Sequence, residues 1–137
     1  MTEIAIWYEG DLSTRCVHSD NGAEVLTDAP KDNQGLGRVF SPTDLFAASL
    51  GSCMLTLMGI AAKRLNVDLK GMHAKVTKEM VVAPVRRIGK LRVEFSCPHA
   101  FSEDVIGKLV RAAETCPVHH SLHPDIVLEF SYQWGRD

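Results

Sequence analysis

Two cysteines carry the most chemistry in this sequence. Cys53 sits in Gly51-Ser52-Cys53-Met54, inside a stretch with no charged residue from Leu45 to Ala62, and Cys116 precedes Pro117-Val118 63 positions later. A free cysteine buried among apolar side chains behaves as a small hydrophobe, and burial raises its pKa and silences it. A reactive Cys53 therefore needs a cationic neighbour. Arg38, in the loop before the Cys53 helix, and Arg15, on an early strand, are the two arginines that could supply one; Arg86 and Arg87 lie at a hairpin tip. If the segments bearing Cys53 and Cys116 pack together, the two thiols form a dithiol redox site.

The histidines invite a second chemistry. Cys116-x-x-His119-His120-x-x-His123 puts a thiol and three imidazoles within eight residues. No Cys-x-x-Cys pair accompanies them, and Pro117 and Pro124 break the helix that would align His119 with His123. A surface turn with solvated histidines is the simpler reading, and no metal or other cofactor is expected. For Cys16 and Cys97 the sequence leaves open whether they do anything beyond packing.

The elements that must position the thiols can be read from periodicity and caps. Ser41-Pro42-Thr43-Asp44 opens a helix: Ser41 can accept from the N–H three residues on, Pro42 suits the first helical position, and Asp44 occupies the acid position of a capping box. From there to Arg64 the apolar side chains occupy every side of the wheel, which predicts a core helix buried all round. At ~1.5 Å per residue it would be about 36 Å long, against a radius of gyration of ~14 Å for a chain of this size. One copy of the chain is too small to cover such a rod, and a homodimer is expected. The segment is also near the length that spans a bilayer, but its glycines and hydroxyls, its mid-chain position and the alternating strands around it argue for a core helix and no membrane partner.

Around this helix, residues 3–9, 12–18 and 23–27 alternate as strands, with Asp20-Asn21-Gly22 as a hairpin turn. Residues 28–40 form a long loop, a length that is often functional. Strands at 69–82 and 88–96 follow, with Lys78 the one break in the first apolar face. A helix of about 102–115 is capped by Ser102 and ended at Cys116-Pro117, and a last strand carries Ile126, Leu128, Phe130, Tyr132 and Trp134 on one face. Consecutive hairpins with helices between them argue an α+β fold with antiparallel sheets.

Length and composition set the outer limits. A chain of 137 residues, 45% hydrophobic and 23% charged, reads as a single domain, residues 1–137, with a real core. A net charge of −2 without a basic block leaves no electrostatic footprint for nucleic acid. Met1-Thr2-Glu3-Ile4 lacks the start of a signal peptide, so a cytoplasmic location with reduced thiols is expected.

Together, Ser41-Pro42-Thr43-Asp44-Leu45-Phe46-Ala47-Ala48-Ser49-Leu50-Gly51-Ser52-Cys53, Cys116-Pro117-Val118 and Trp7-Tyr8-Glu9-Gly10 resemble the family of osmotically inducible protein C and organic hydroperoxide resistance proteins (OsmC/Ohr). The similarity extends over essentially the whole chain and is that of a divergent OsmC-like branch. It implies an OsmC-like fold, with antiparallel sheets wrapped around a long central helix in an intertwined homodimer. It also implies a two-cysteine peroxidase that reduces organic hydroperoxides, with Cys53 peroxidatic and Cys116 resolving, restored by a dithiol reductant such as a lipoylated protein. The family's activating arginine corresponds to Arg38 or Arg15. The glutamate that pairs with that arginine, ten residues before the peroxidatic cysteine, is replaced here by Thr43; Asp44 is adjacent but about 100° round the helix. That departure leaves room for the alternative of a non-enzymatic small-molecule or metal-binding homodimer that keeps the fold.

Overall fold

Each segment of alternating apolar residues forms a strand, and each capped segment a helix. The computed structural model describes residues 1–136. In chain order the elements are β1 (Ile4–Gly10), β2 (Ser13–His18), β3 (Glu24–Asp28), α1 (Pro42–Arg64), β4 (His73–Val81), β5 (Arg87–Cys97), α2 (Glu103–Glu114), α3 (Pro117–His120) and β6 (Val127–Trp134). They divide into two compact units, Met1–Phe46 and the remainder from Ala47, with α1 starting in the first.

The first unit is an antiparallel meander, β1-β2-β3. The Asp20-Asn21-Gly22 turn is closed by the Gly22 N–H donating to the His18 carbonyl at 2.8 Å, with Gly22 at φ +74°, a region glycine enters without steric cost. Trp7, Arg15 and Leu26 lie directly opposite one another across the three strands. Residues 29–40 return as a loop with one 3-10 turn, Lys31–Asn33, and its ends are tied together: the Asp28 N–H donates to the Phe40 carbonyl at 3.2 Å, and the Gly37 N–H to the Ala29 carbonyl at 3.2 Å. Gly35 permits the close approach, since a Cβ there would lie 1.8 Å from the Ala29 carbonyl oxygen.

The second unit holds the core. Strands β4 and β5 pair antiparallel, with Val76 opposite Val93 and Ala74 opposite Phe95. The expectation of antiparallel sheets fails at the last strand: β6 pairs parallel to β5, with Val93 beside Phe130 and Phe95 beside Tyr132. The chain reaches β6 through α2 and α3 rather than a hairpin, and a crossover carrying a helix delivers a strand parallel to its neighbour. The apolar face of this sheet meets both long helices. Leu50, Met54, Met58, Leu91, Val93, Phe95, Leu109, Ala113 and Cys116 form one buried cluster. Lys78, the break in the pattern, lies opposite Leu91 on that face.

Helix α1 opens as its sequence requires. The Asp44 N–H donates to Ser41 Oγ at 3.1 Å while the Asp44 carboxylate accepts from the Ser41 N–H at 2.9 Å, the reciprocal pair of a capping box. By length and composition α1 is long and apolar enough to cross a bilayer, and in the fold it packs in the core. Burial all round is not observed: Ala47, Leu50, Gly51, Met54, Met58 and Ala62 form one buried stripe at helical spacing, while Phe46 and Ile60 are 42% and 45% exposed. A single sheet surface can cover only one side of a helix, so the remaining apolar positions stay open in one chain.

Candidate redox site

Cys53 is held by the stripe that docks α1 on the sheet. A Cβ at Gly51 would lie 2.8 Å from Val76 Cγ2, so glycine there lets α1 approach β4 more closely than a larger residue would allow. Two residues on, Cys53 packs against the core cluster while remaining partly exposed.

Cys116 arrives from the other side. Helix α2 begins with Ser102 Oγ accepting from the Val105 N–H at 3.3 Å and closes at Thr115, whose N–H donates to the Ala112 carbonyl at 3.1 Å while the Cys116 N–H donates to the Ala113 carbonyl at 3.3 Å. Pro117 does more than stop this helix. It takes the first position of the one-turn α3, with Cys116 as its cap and the Cys116 Sγ accepting from the His119 N–H at 3.1 Å. Cys116 is fully buried, at 0% exposure.

The fold brings the two sulfurs together. The Cys116 thiol is within hydrogen-bonding reach of Cys53, and its pKa is raised. Burial is the main cause, the His119 N–H pulls the other way, and the Cys53 sulfur raises it again, since a second negative charge beside a thiolate is disfavoured. Cys116 therefore keeps its proton, which it can donate toward Cys53. Both thiols are unoxidised, as are Cys97, buried on β5, and Cys16, half-buried on β2.

The histidines do not assemble a metal centre. The His119 ring is half-buried, its Nδ1 donating to the Glu114 carbonyl at 2.9 Å and its face meeting the Phe130 ring edge-on at 5.6 Å, while His120 and His123 are exposed. His120 stacks on it at 5.4 Å, and His123 Nδ1 accepts from the Asp125 N–H at 3.0 Å. Among the described residues no three His, Cys, Asp or Glu side chains converge to hold an ion.

Both candidate arginines belong to the first unit, where they help line a cleft of about 490 Å³ with Ser13, Leu26, Asp28 and Val39. Arg15 bridges two carboxylates across the meander, with Nε to Glu9 at 2.9 Å and Nη1 to Glu24 at 3.1 Å, and its guanidinium lies 4.6 Å from the centre of the Trp7 ring. Arg38 meets a single carboxylate side-on: Nε donates to Asp28 Oδ2 at 2.8 Å and Nη2 to Asp28 Oδ1 at 3.0 Å. The Arg38 backbone N–H adds a bond to Oδ2 at 2.9 Å, and Ser13 Oγ donates to Oδ1. Arg38, followed by Ser13, holds the Asp28 carboxyl well below the usual carboxylate range. Asp28 was not among the residues the sequence singled out. Its signal is slight, an acid at the mouth of a long loop whose far end carries an arginine. Asp44, next to Thr43, has the cap as one of its duties.

Two small sheets, a long core helix and a paired thiol at its flank define an α+β protein with a built-in dithiol. The chain belongs to the OsmC-like protein family, whose sequence profile matches residues 35–131. It is similar to a Psychrobacter arcticus protein provisionally assigned as an osmotic stress induced and detoxification response protein, 41% identical with a TM-score of 0.92 over 97% of this chain and 96% of that one. An organic hydroperoxide resistance protein OsmC from Legionella pneumophila shares the fold, at 14% identity and a TM-score of 0.78 over 97% and 96% of the two chains. An uncharacterized protein of Acinetobacter baylyi is 28% identical over 88% of this chain and 85% of its own length.

Proposed function

We propose that this protein is a thiol-dependent peroxidase that reduces organic hydroperoxides to alcohols. The observation that carries the reading is the pairing of a partly exposed Cys53 with a fully buried Cys116 whose thiol reaches it. An oxidant arriving from solvent meets Cys53 first. The Cys53 thiolate attacks the terminal peroxide oxygen, the O–O bond breaks, and the alkoxide leaves and takes a proton to become the alcohol. Cys53 is then a sulfenic acid. Cys116 condenses with it, forming the Cys53–Cys116 disulfide and releasing water, and an external dithiol, such as that of a lipoylated protein, exchanges with the disulfide to restore both thiols. A guanidinium, from Arg38 or Arg15, stabilises the attacking thiolate. The apolar flank of α1 favours organic over hydrogen peroxide. The same flank is covered by a second copy of the chain, so the active species is a homodimer.

Mixing the reduced protein with cumene hydroperoxide is expected to consume one equivalent of peroxide per chain and to give a peptide pair linked through Cys53 and Cys116 in mass spectrometry. Peroxide left untouched, or a disulfide through Cys16 or Cys97 instead, overturns the reading. Sedimentation at micromolar concentration is expected to give a dimer, and a stable monomer contradicts the second copy.

A further inference from the structure

Cys116 is the less willing of the two thiols. It is fully buried, and burial raises its pKa, yet to close a disulfide it must give up its proton as it attacks. What opposes burial is backbone: the His119 N–H donates to Sγ at 3.1 Å, and the Val118 N–H acts in the same sense. Any residue but proline would bring an N–H to position 119, so the N–H alone does not account for a histidine. The ring does something further. It reaches back past Cys116 to the last residue of α2, where Nδ1 donates to the Glu114 carbonyl at 2.9 Å. A carbonyl can only accept, so the proton of the neutral ring sits on Nδ1. The carbonyl lies at a helix end, where such groups lack partners from their own helix. The same ring meets Phe130 on β6 edge-on at 5.6 Å. One side chain thus closes the loop from Glu114 to His119, with Cys116 inside it, and seats that loop on the sheet.

We infer that His119 is a positioning residue for the resolving thiol: by its bond to the Glu114 carbonyl, the ring fixes α3 so that its own N–H meets the Cys116 sulfur beside Cys53. The role rests on the peroxidase reading. There, Cys116 attacks the sulfur of the Cys53 sulfenic acid, the S–S bond forms, and the departing hydroxide takes the Cys116 proton and leaves as water. The His119 ring moves no proton in this step; it acts through the placement of Cys116.

Thiol exchange with dithiodipyridine tests this without peroxide. The partly exposed Cys53 attacks the reagent first, releasing one thiopyridone and leaving a mixed disulfide on Cys53. Cys116 then attacks the Cys53 sulfur, closing the Cys53–Cys116 disulfide and releasing the second thiopyridone. Cys97 is buried, and every protein compared carries Cys16→Ser, so both releases belong to the pair, as peptide mapping checks. His119→Asn puts an amide N–H where Nδ1 stands, whereas His119→Phe keeps a ring beside Phe130 and has no donor. The second release is expected to slow about tenfold in His119→Phe and in His119→Ala, the scale of one lost hydrogen bond. In His119→Asn it is expected to return to near the native rate, and the first release is expected to be unchanged throughout. A second release at the native rate in His119→Phe overturns the proposal, as does one slowed as much in His119→Asn. A first release that slows in step with the second marks a loosened fold and overturns it too. If the native chain leaves cumene hydroperoxide untouched while the expected pattern holds, the peroxidase reading falls and His119 still positions the dithiol.

Discussion

Cys53→Ser is expected to bring peroxide consumption down to the buffer rate, a loss of roughly a thousandfold or more, because it removes the atom that accepts the oxygen. Cys116→Ser is expected to behave differently. Its Cys53 still reacts once, so a single equivalent of peroxide disappears and dimedone labels the sulfenic acid, after which turnover stops for want of a condensing thiol. The asymmetry follows from burial: Cys116 has no exposure and a raised pKa, while Cys53 is partly open. Stopped-flow peroxide measurements on the two variants separate the roles. Undiminished turnover in Cys53→Ser, or a Cys116→Ser variant that cycles like the native chain, contradicts the assignment.

The largest effect on stability is expected from Phe95→Ala. Phe95 is 1% exposed at the centre of β5 and stacks on Tyr132, with ring centroids 4.8 Å apart and planes 5° from parallel. Removing a buried ring leaves a cavity and costs about 3–5 kcal/mol, a large part of the 5–15 kcal/mol typical of a whole domain. It should appear as a lower urea midpoint with an unchanged slope. Tyr132→Phe is the contrasting case. Among the described residues the buried Tyr132 hydroxyl has no hydrogen-bond partner, so the variant should be as stable as the native chain or more so, and its ring still covers Phe95. Burial, with a smaller contribution from Glu114, raises the Tyr132 pKa to about 12 from a usual 10. The fold therefore prefers the protonated phenol. Its contribution is intact below pH 10 and lost as pH climbs from 10 through about 12. Tyr132→Phe should flatten that alkaline fall, and equal alkaline profiles for both proteins would refute the assignment.

Much of this fold is written locally. Ser41 and Asp44 announce a helix start because both halves of the cap lie within four residues, and the apolar alternation of 128–134 marks a strand whichever neighbour it chooses. For the same reason, alternation says nothing about strand direction, and the parallel pairing of β6 was missed; the helix between β5 and β6 was the available clue. The all-round apolarity of α1 predicts burial on every side, and within one chain only the 47–62 stripe is filled. At the site, the thiols were legible only through the two cysteine blocks taken together, since a lone cysteine in an apolar helix reads equally well as a small hydrophobe. The Asp28–Arg38 pair was not, because a loop's closure depends on turns that composition does not encode. The half-burial of His119 was hidden likewise, since it depends on the Glu114 carbonyl and the Phe130 ring rather than on its neighbouring histidines.

The parallel crossover also governs the order of assembly. Contacts between β5 and β6 join residues 37 positions apart, as Lys90 and Val127 do, and such non-local pairing forms late and slowly. Cys116 lies within that crossover. A nascent chain that has emerged only as far as α1 carries Cys53 without its counterpart, and one lacking β6 has no completed sheet against which to seat α2. The contact between the two thiols thus joins residues 63 positions apart in the chain, and it waits on the segment that leads to the last strand.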